Sequence, residues 1–118
     1  MSINERISAE EAERLLAEHD NVMLLDMRDA RAYCQGHDPR AIHLSDLTLR
    51  TLLKATPKQV HMLIYGRERD TASQDMANLF REFGFDRSFC IDGGYEAWQA
   101  RGHWRQRPAT ATRIAARA

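Results

Sequence analysis

The chain is 118 residues long, 43% hydrophobic and 29% charged, and its 17 basic residues cancel its 17 acidic ones. That size argues for one domain with a modest core, and no apolar run approaches the roughly 20 residues that span a bilayer. A neutral total gives no chain-wide attraction for nucleic acid or an anionic membrane surface.

The first residues, Met1-Ser2-Ile3-Asn4-Glu5-Arg6, hold no apolar stretch and do not read as a secretory signal, so a cytoplasmic location is the expectation. Ile7 closes a short extended segment. Ser8-Ala9-Glu10-Glu11 matches a capping box and opens a helix with Ala12, Leu15 and Leu16 on one side, ending near His19-Asp20-Asn21. Val22-Met23-Leu24-Leu25-Asp26 is apolar without alternation, the pattern of a strand covered on both faces in a parallel sheet. After Met27-Arg28, Asp29 caps a short helix through Ala30, Ala32 and Tyr33 that stops at Gly36. His37-Asp38-Pro39-Arg40 is loop, and Ala41-Ile42-His43-Leu44 is a short strand. Ser45 or Asp46 starts a helix whose apolar members are Leu47, Leu49, Leu52 and Leu53, and Thr56-Pro57 ends it.

His61-Met62-Leu63-Ile64-Tyr65 is the central strand, stopped by Gly66. A polar turn follows, then a helix to about Phe83, with Asp70 or Thr71 as its cap. Met76, Ala77, Leu79, Phe80 and Phe83 are its expected inward side, and Gly84 its left-handed terminator. Ser88-Phe89-Cys90-Ile91 is the last strand. Asp92-Gly93-Gly94 turns the chain, and Tyr95-Glu96-Ala97-Trp98 opens a final helix that ends by Gly102. Strands alternating with helices predict an α/β domain over residues 1–102: a central parallel sheet of about five strands, helices on both faces and right-handed crossovers. Residues 103–118 form a basic, flexible tail: Arg105, Arg107, Arg113 and Arg117 follow the last acidic residue, Glu96, with no carboxylate to offset them. Only this tail offers anything to nucleic acid, so none is expected as a partner.

The turn after Tyr65 comprises Gly66, Arg67, Glu68, Arg69, Asp70, Thr71, Ala72 and Ser73. A strand feeding a tight loop at a helix N-terminus gathers backbone N–H groups that favour an anion. Arg67 and Arg69 can hold a sulfur oxyanion, phosphate or carboxylate, whereas Glu68 and Asp70 oppose one. The plain alternative is a solvated, self-neutralising loop whose ion pairs are worth about 0–1 kcal/mol each. The geometry of a nucleophile loop is present without the nucleophile: no residue from Gly66 to Ala72 is a Cys.

Four stretches together resemble the rhodanese family, the small sulfurtransferase domain. Leu24-Leu25-Asp26-Met27-Arg28-Asp29 is similar to its first core strand and Asp-x-Arg turn. Gly36-His37-Asp38-Pro39-Arg40-Ala41-Ile42-His43 resembles its Gly-His-Ile-Pro-Gly-Ala-Ile-His signature, with Asp and Arg substituted at two positions. Ile91-Asp92-Gly93-Gly94-Tyr95-Glu96-Ala97-Trp98 resembles its closing Gly-Gly-aromatic-x-x-Trp motif, and Ala72 to Phe85 its helix after the active-site loop. The resemblance runs from about Ile7 to Gly102. It implies sulfur metabolism: a loop Cys takes a sulfane sulfur from a donor such as thiosulfate, and the persulfide passes it to a thiol or cyanide. In this chain that position falls on Gly66 if Tyr65 ends the strand, or on Arg67 counting back from Gly84. Neither forms a persulfide.

The remaining candidates have plain readings beside their functional ones. Cys90 ends the last strand, near the sheet edge where ligands bind in such folds, yet a buried strand thiol is inert. Cys34, beside Tyr33, reads as a packing or partly exposed thiol, and two distant cysteines match no metal-ligand spacing. Asp26 and Arg28 form an acid–base pair on paper, but the resemblance implies a structural turn. The same holds for Gly36, His37, Pro39, Gly93, Gly94 and Trp98. His37 and His43 fit no zinc pattern, so neither metal nor cofactor is expected.

The expected function is a rhodanese-like binding or regulatory module, catalytically inactive, whose partner is a protein or small anion at residues 66–73. The alternative is a sulfurtransferase that uses a displaced thiol, Cys90 before Cys34. A phosphatase-like enzyme and a nucleic-acid adaptor acting through the tail rank behind both.

Overall fold

The computed structural model describes residues 6–67 and 71–102. Its elements in chain order are β1 (Arg6–Ile7), α1 (Ala9–Glu18), β2 (Val22–Asp26), α2 (Ala30–Gln35), β3 (Ala41–His43), α3 (Asp46–Ala55), β4 (His61–Tyr65), α4 (Ala72–Glu82), β5 (Ser88–Ile91) and α5 (Gly94–Arg101). The five strands form one sheet in the order β1-β5-β4-β2-β3, and every pairing is parallel. This is the α/β architecture the alternating pattern predicts.

The continuous apolar strands have the two-sided burial expected of them. On one face Leu25, Met62, Ile64 and Cys90 pack with Leu52 of α3 and with Ala77 and Phe80 of α4. On the other, Leu24, Leu63, Tyr65 and Ile91 pack with Ala12 of α1 and with Tyr95 and Trp98 of α5. Alternate residues of a strand point to opposite faces, so a run without polar positions feeds two cores at once.

Short polar side chains set the helix starts. Ser8 accepts the Glu11 amide at 3.0 Å, Asp29 accepts the Ala32 amide at 2.9 Å, and Ser45 forms a reciprocal box with Thr48. Helix α4 ends as Gly84 predicts. Gly84 has φ +97°, its amide donates to the Arg81 carbonyl, and the Phe85 amide donates to the Phe80 carbonyl. The Phe80 and Phe85 rings then meet edge to face at 5.5 Å.

Two expectations fail here. Phe83 is half exposed, because the chain has already left the helix and Phe85 takes the inner place beside Phe80. Leu47 is 79% exposed; it lies on the far side of α3 from Leu49 and Leu52, more than a quarter-turn off their stripe. Thr71 takes the expected N-cap position of α4 without a side-chain capping bond, and Asp70, the other expected cap, lies outside the described residues. The tail, residues 103–118, lies outside the described residues, and among those described no helix is long and apolar enough to cross a membrane.

Candidate functional site

The carboxyl ends of the strands carry the turn after Tyr65. The Tyr65 carbonyl accepts the Met27 amide at 3.0 Å, and the Gly66 carbonyl accepts the Tyr95 amide at 2.8 Å. The first oxygens of the turn are therefore engaged by N–H donors from β2's end and from α5. Gly66 itself is buried. Gly94, at φ +61°, lets α5 approach closely: a Cβ there would fall 2.6 Å from the Gly66 and Arg67 carbonyl oxygens. The Gly93-Gly94 turn thus fits the floor of the loop, and only glycine fits it.

Arg67 is exposed, and its guanidinium lies 3.5 Å from the Asp29 carboxylate at the start of α2. The Asp29 carboxyl is held below its ordinary range, chiefly by the Ala32 amide and also by Arg67. Glu68, Arg69 and Asp70 lie outside the described residues. Thr71 is exposed, Ala72 half-buried and Ser73 buried at the first turn of α4. The Thr71 side chain makes no capping hydrogen bond to that turn; amides at a helix start and the helix dipole attract negative charge in general.

A rigid scaffold stands behind the loop. Asp26 is fully buried and pairs with Arg28 through two oxygens, the shortest contact being 2.7 Å. Arg28 also donates to the Gly36 carbonyl at 2.7 Å, and its guanidinium stacks 3.7 Å from the Tyr95 ring centre. Burial opposes the Arg28 charge, but Asp26, with Tyr65 and Tyr95, leaves its pKa above the ordinary value. The Asp26–Arg28 turn is thus a brace, as its resemblance implies. His37 Nδ1 lies 2.6 Å from the Tyr33 carbonyl and His43 Nε2 2.8 Å from the Arg28 carbonyl. Each histidine is committed to a backbone oxygen, and no metal-ligating cluster occurs among the described residues.

A second brace was not foreseen. Asp38, fully buried, takes the Arg40 amide at 2.9 Å, the Arg40 guanidinium at 2.7 Å and the Trp98 indole N–H at 2.9 Å. Burial pushes the Asp38 carboxyl up, but the Arg40 hydrogen bonds and Trp98 outweigh it and leave it below the usual carboxylate value. The two substituted positions of the Gly-His signature therefore form one unit. Its signal in the sequence was the repeated spacing, since Asp38-Pro39-Arg40 has the same Asp-x-Arg form as Asp26-Met27-Arg28. Pro39 itself is exposed.

The two thiols differ in their relation to the turn, since Cys90 has Ser73, the turn's last residue, as a hydrogen-bond neighbour. Cys34 is exposed on α2 and Cys90 is buried. Cys90 is paired in register with Ile64, and its Sγ lies 3.9 Å from Gln74 Oε1 in the first turn of α4. Burial pushes its pKa up, although Arg6 pulls the other way. The Tyr65 hydroxyl is buried and makes no hydrogen bond of standard geometry among the described residues, although Asp26 and the Asp38 backbone lie close to it; burial and the Asp26 carboxylate push its pKa up.

Comparison with known proteins places this arrangement. The profile of the rhodanese-like domain matches residues 8–101. The solution structure of the rhodanese-like domain of the Anabaena protein Alr3790 is 25% identical, with a TM-score of 0.71 over 85% of this chain and 76% of that one. A crystal structure of Alr3790 is 28% identical, with a TM-score of 0.69 over 80% and 75%. The human single-domain sulfurtransferase TSTD1 shares the fold at 18% identity, with a TM-score of 0.67 over 81% of this chain and 96% of that one. With the match covering most of its length, the chain belongs to the rhodanese-like domain family.

Proposed function

We propose that this rhodanese-like domain is a binding or regulatory module that holds an anion, or an acidic group of a protein partner, at residues 66–73 and carries no sulfur of its own. The observation behind this reading is the composition of the turn: Gly66 and Arg67 follow the strand end, and neither holds a thiol. Sulfur transfer in this family's manner needs a thiolate to attack the donor's sulfane sulfur, expel the remaining anion and keep the sulfur as a persulfide. What the turn retains is the attraction for charge: the first-turn amides of α4 and the exposed Arg67. The unpaired thiols suit a reducing, cytoplasmic setting.

The second reading, a sulfurtransferase using Cys90, draws on the position of its sulfur under the first turn of α4. Its complete burial and raised pKa weigh against it.

A thiosulfate-to-cyanide assay, paired with intact-mass measurement after thiosulfate treatment, separates the two. The module reading expects no turnover and no added sulfur, together with thiosulfate or sulfate binding that weakens in Arg67→Ala. Turnover abolished by Cys90→Ser and kept in Cys34→Ser would establish the second reading. Turnover surviving the loss of both thiols would defeat both.

A further inference from the structure

A groove lies far from the turn at Gly66. It has a volume of about 400 Å³ and lies beside α1, toward the amino ends of β4 and β5. Its floor is the half-buried fringe of the core: Ile7, Leu15 and Phe89. The α1 wall presents Glu11 and Glu18, two turns apart, on either side of Leu15. Both carboxylates are exposed, and neither has an ion-pair partner among the described residues. Of the two arginines that also line the groove, Arg14 lies 3.8 Å from Glu10, whereas Arg87 donates to the neutral Gln59 carbonyl at 3.3 Å and keeps its charge. With Arg14 offset by Glu10, the two carboxylates of the α1 wall outweigh Arg87 by one charge, and they flank an apolar floor.

A matching occupant is encoded in the same chain. Residues 103–118 carry Arg105, Arg107, Arg113 and Arg117 and no acidic side chain, with Ile114 beside Arg113. The segment begins where α5 ends, next to α1, since Arg101 Nε lies 3.9 Å from Glu13. Reach is ample: an extended chain covers roughly 3.3 Å per residue, so Ile114 can lie about 40 Å from Gly102, whereas a helix with its side chains is only about 10 Å across.

We propose that residues 103–118 dock on this groove within the same molecule, with Ile114 on the Ile7–Leu15–Phe89 floor and Arg113 and Arg117 facing Glu11 and Glu18. The basic segment is then held against the acidic helix and withheld from external polyanions. Because the groove is open, salt weakens the attraction: the screening length falls from about 10 Å at 0.1 M to about 3 Å at 1 M.

Hydrogen exchange of the full-length chain, read by mass spectrometry at low salt, tests this. Amides around Ile114 should exchange at least tenfold slower than in an unstructured peptide. Protection should be lost in E11K/E18K, reduced in the milder E11Q/E18Q, and regained in the charge swap E11K/E18K/R113E/R117E. Thermal melts confirm that each variant is folded, and E11Q/E18Q carries the test if the lysine variant is not. Exchange at the unstructured rate in the parent chain overturns the proposal. So does protection indifferent to all three variants, or protection that rises with protein concentration, which would place the segment on a second copy.

Discussion

The indole N–H of Trp98 donates to the carboxylate of Asp38 across 2.9 Å, joining α5 to the loop before β3. The Arg40 guanidinium donates to the same oxygen at 2.7 Å and to the other one at 2.9 Å. These contacts make Asp38 and Arg40 interdependent. Asp38→Ile leaves the buried indole N–H without its acceptor and should cost about 2 kcal/mol. Arg40→Ala leaves a buried carboxylate short of its counter-charge and should cost about 3 kcal/mol. The double variant should cost less than the sum, by a coupling of about 1–3 kcal/mol. Urea denaturation of the four proteins measures it; additive losses would show that the two positions act independently.

Acid should reveal the same carboxylate. Burial alone would raise the Asp38 pKa, but Arg40 and Trp98 reverse the sign and depress it in the folded state. A depressed folded pKa means the unfolded chain takes up the proton first. The stabilisation is therefore complete above the ordinary carboxylate value of about 3.9 and is lost as pH falls through the lower folded value. Asp38→Asn has no such titration. Its stability, lower at neutral pH, should decline less than the parent's between about pH 4 and pH 2, as urea midpoints across that range would show.

Gly94→Ala tests how tightly α5 seats the turn. The new Cβ meets the Gly66 and Arg67 carbonyl oxygens at 2.6 Å and sits at φ +61°. Neither obstacle is a flexible side chain, so backbone must move. A loss of about 2–4 kcal/mol is expected, with displaced amide resonances at Gly66, Arg67 and Tyr95. A variant of parental stability and unshifted resonances would mean that the turn and the helix are not in register as described.

Tyr65→Phe has the opposite expectation. The hydroxyl is buried and makes no hydrogen bond of standard geometry among the described residues, with only looser approaches to Asp26 and the Asp38 backbone, so deleting it removes a poorly satisfied group. Stability should hold or improve by up to about 1 kcal/mol. A loss greater than that would reveal a partner, such as an ordered water.

Much of this molecule is legible in its sequence for a simple reason: local signals are local in cause. The strand Val22–Asp26 declares itself by a run of apolar residues, and Ser45 and Asp29 start helices through contacts made within a turn of themselves. The misses have non-local causes. Phe83 fits a helical stripe, but Gly84 ends the helix before the stripe reaches it. Asp38 looks like a loop residue until folding brings Trp98 to it. Likewise, Gly94 reads as a turn former, while its closest demand comes from Gly66 across the sheet edge. The Cys-less turn itself was plain from the residues, because the lack of a side-chain atom needs no geometry to detect.

The placement of β1 has a consequence for how the chain assembles. Among the described residues Arg6 and Ile7 pair only with Cys90 and Ile91, so within this sheet the strand made first is the last to gain a partner. Until β5 emerges, the nascent sheet lacks one flank, and closure depends on contacts between nearly opposite ends of the domain. Such long-range closure slows folding, and the unmatched flank is where a half-made chain would recruit a neighbour.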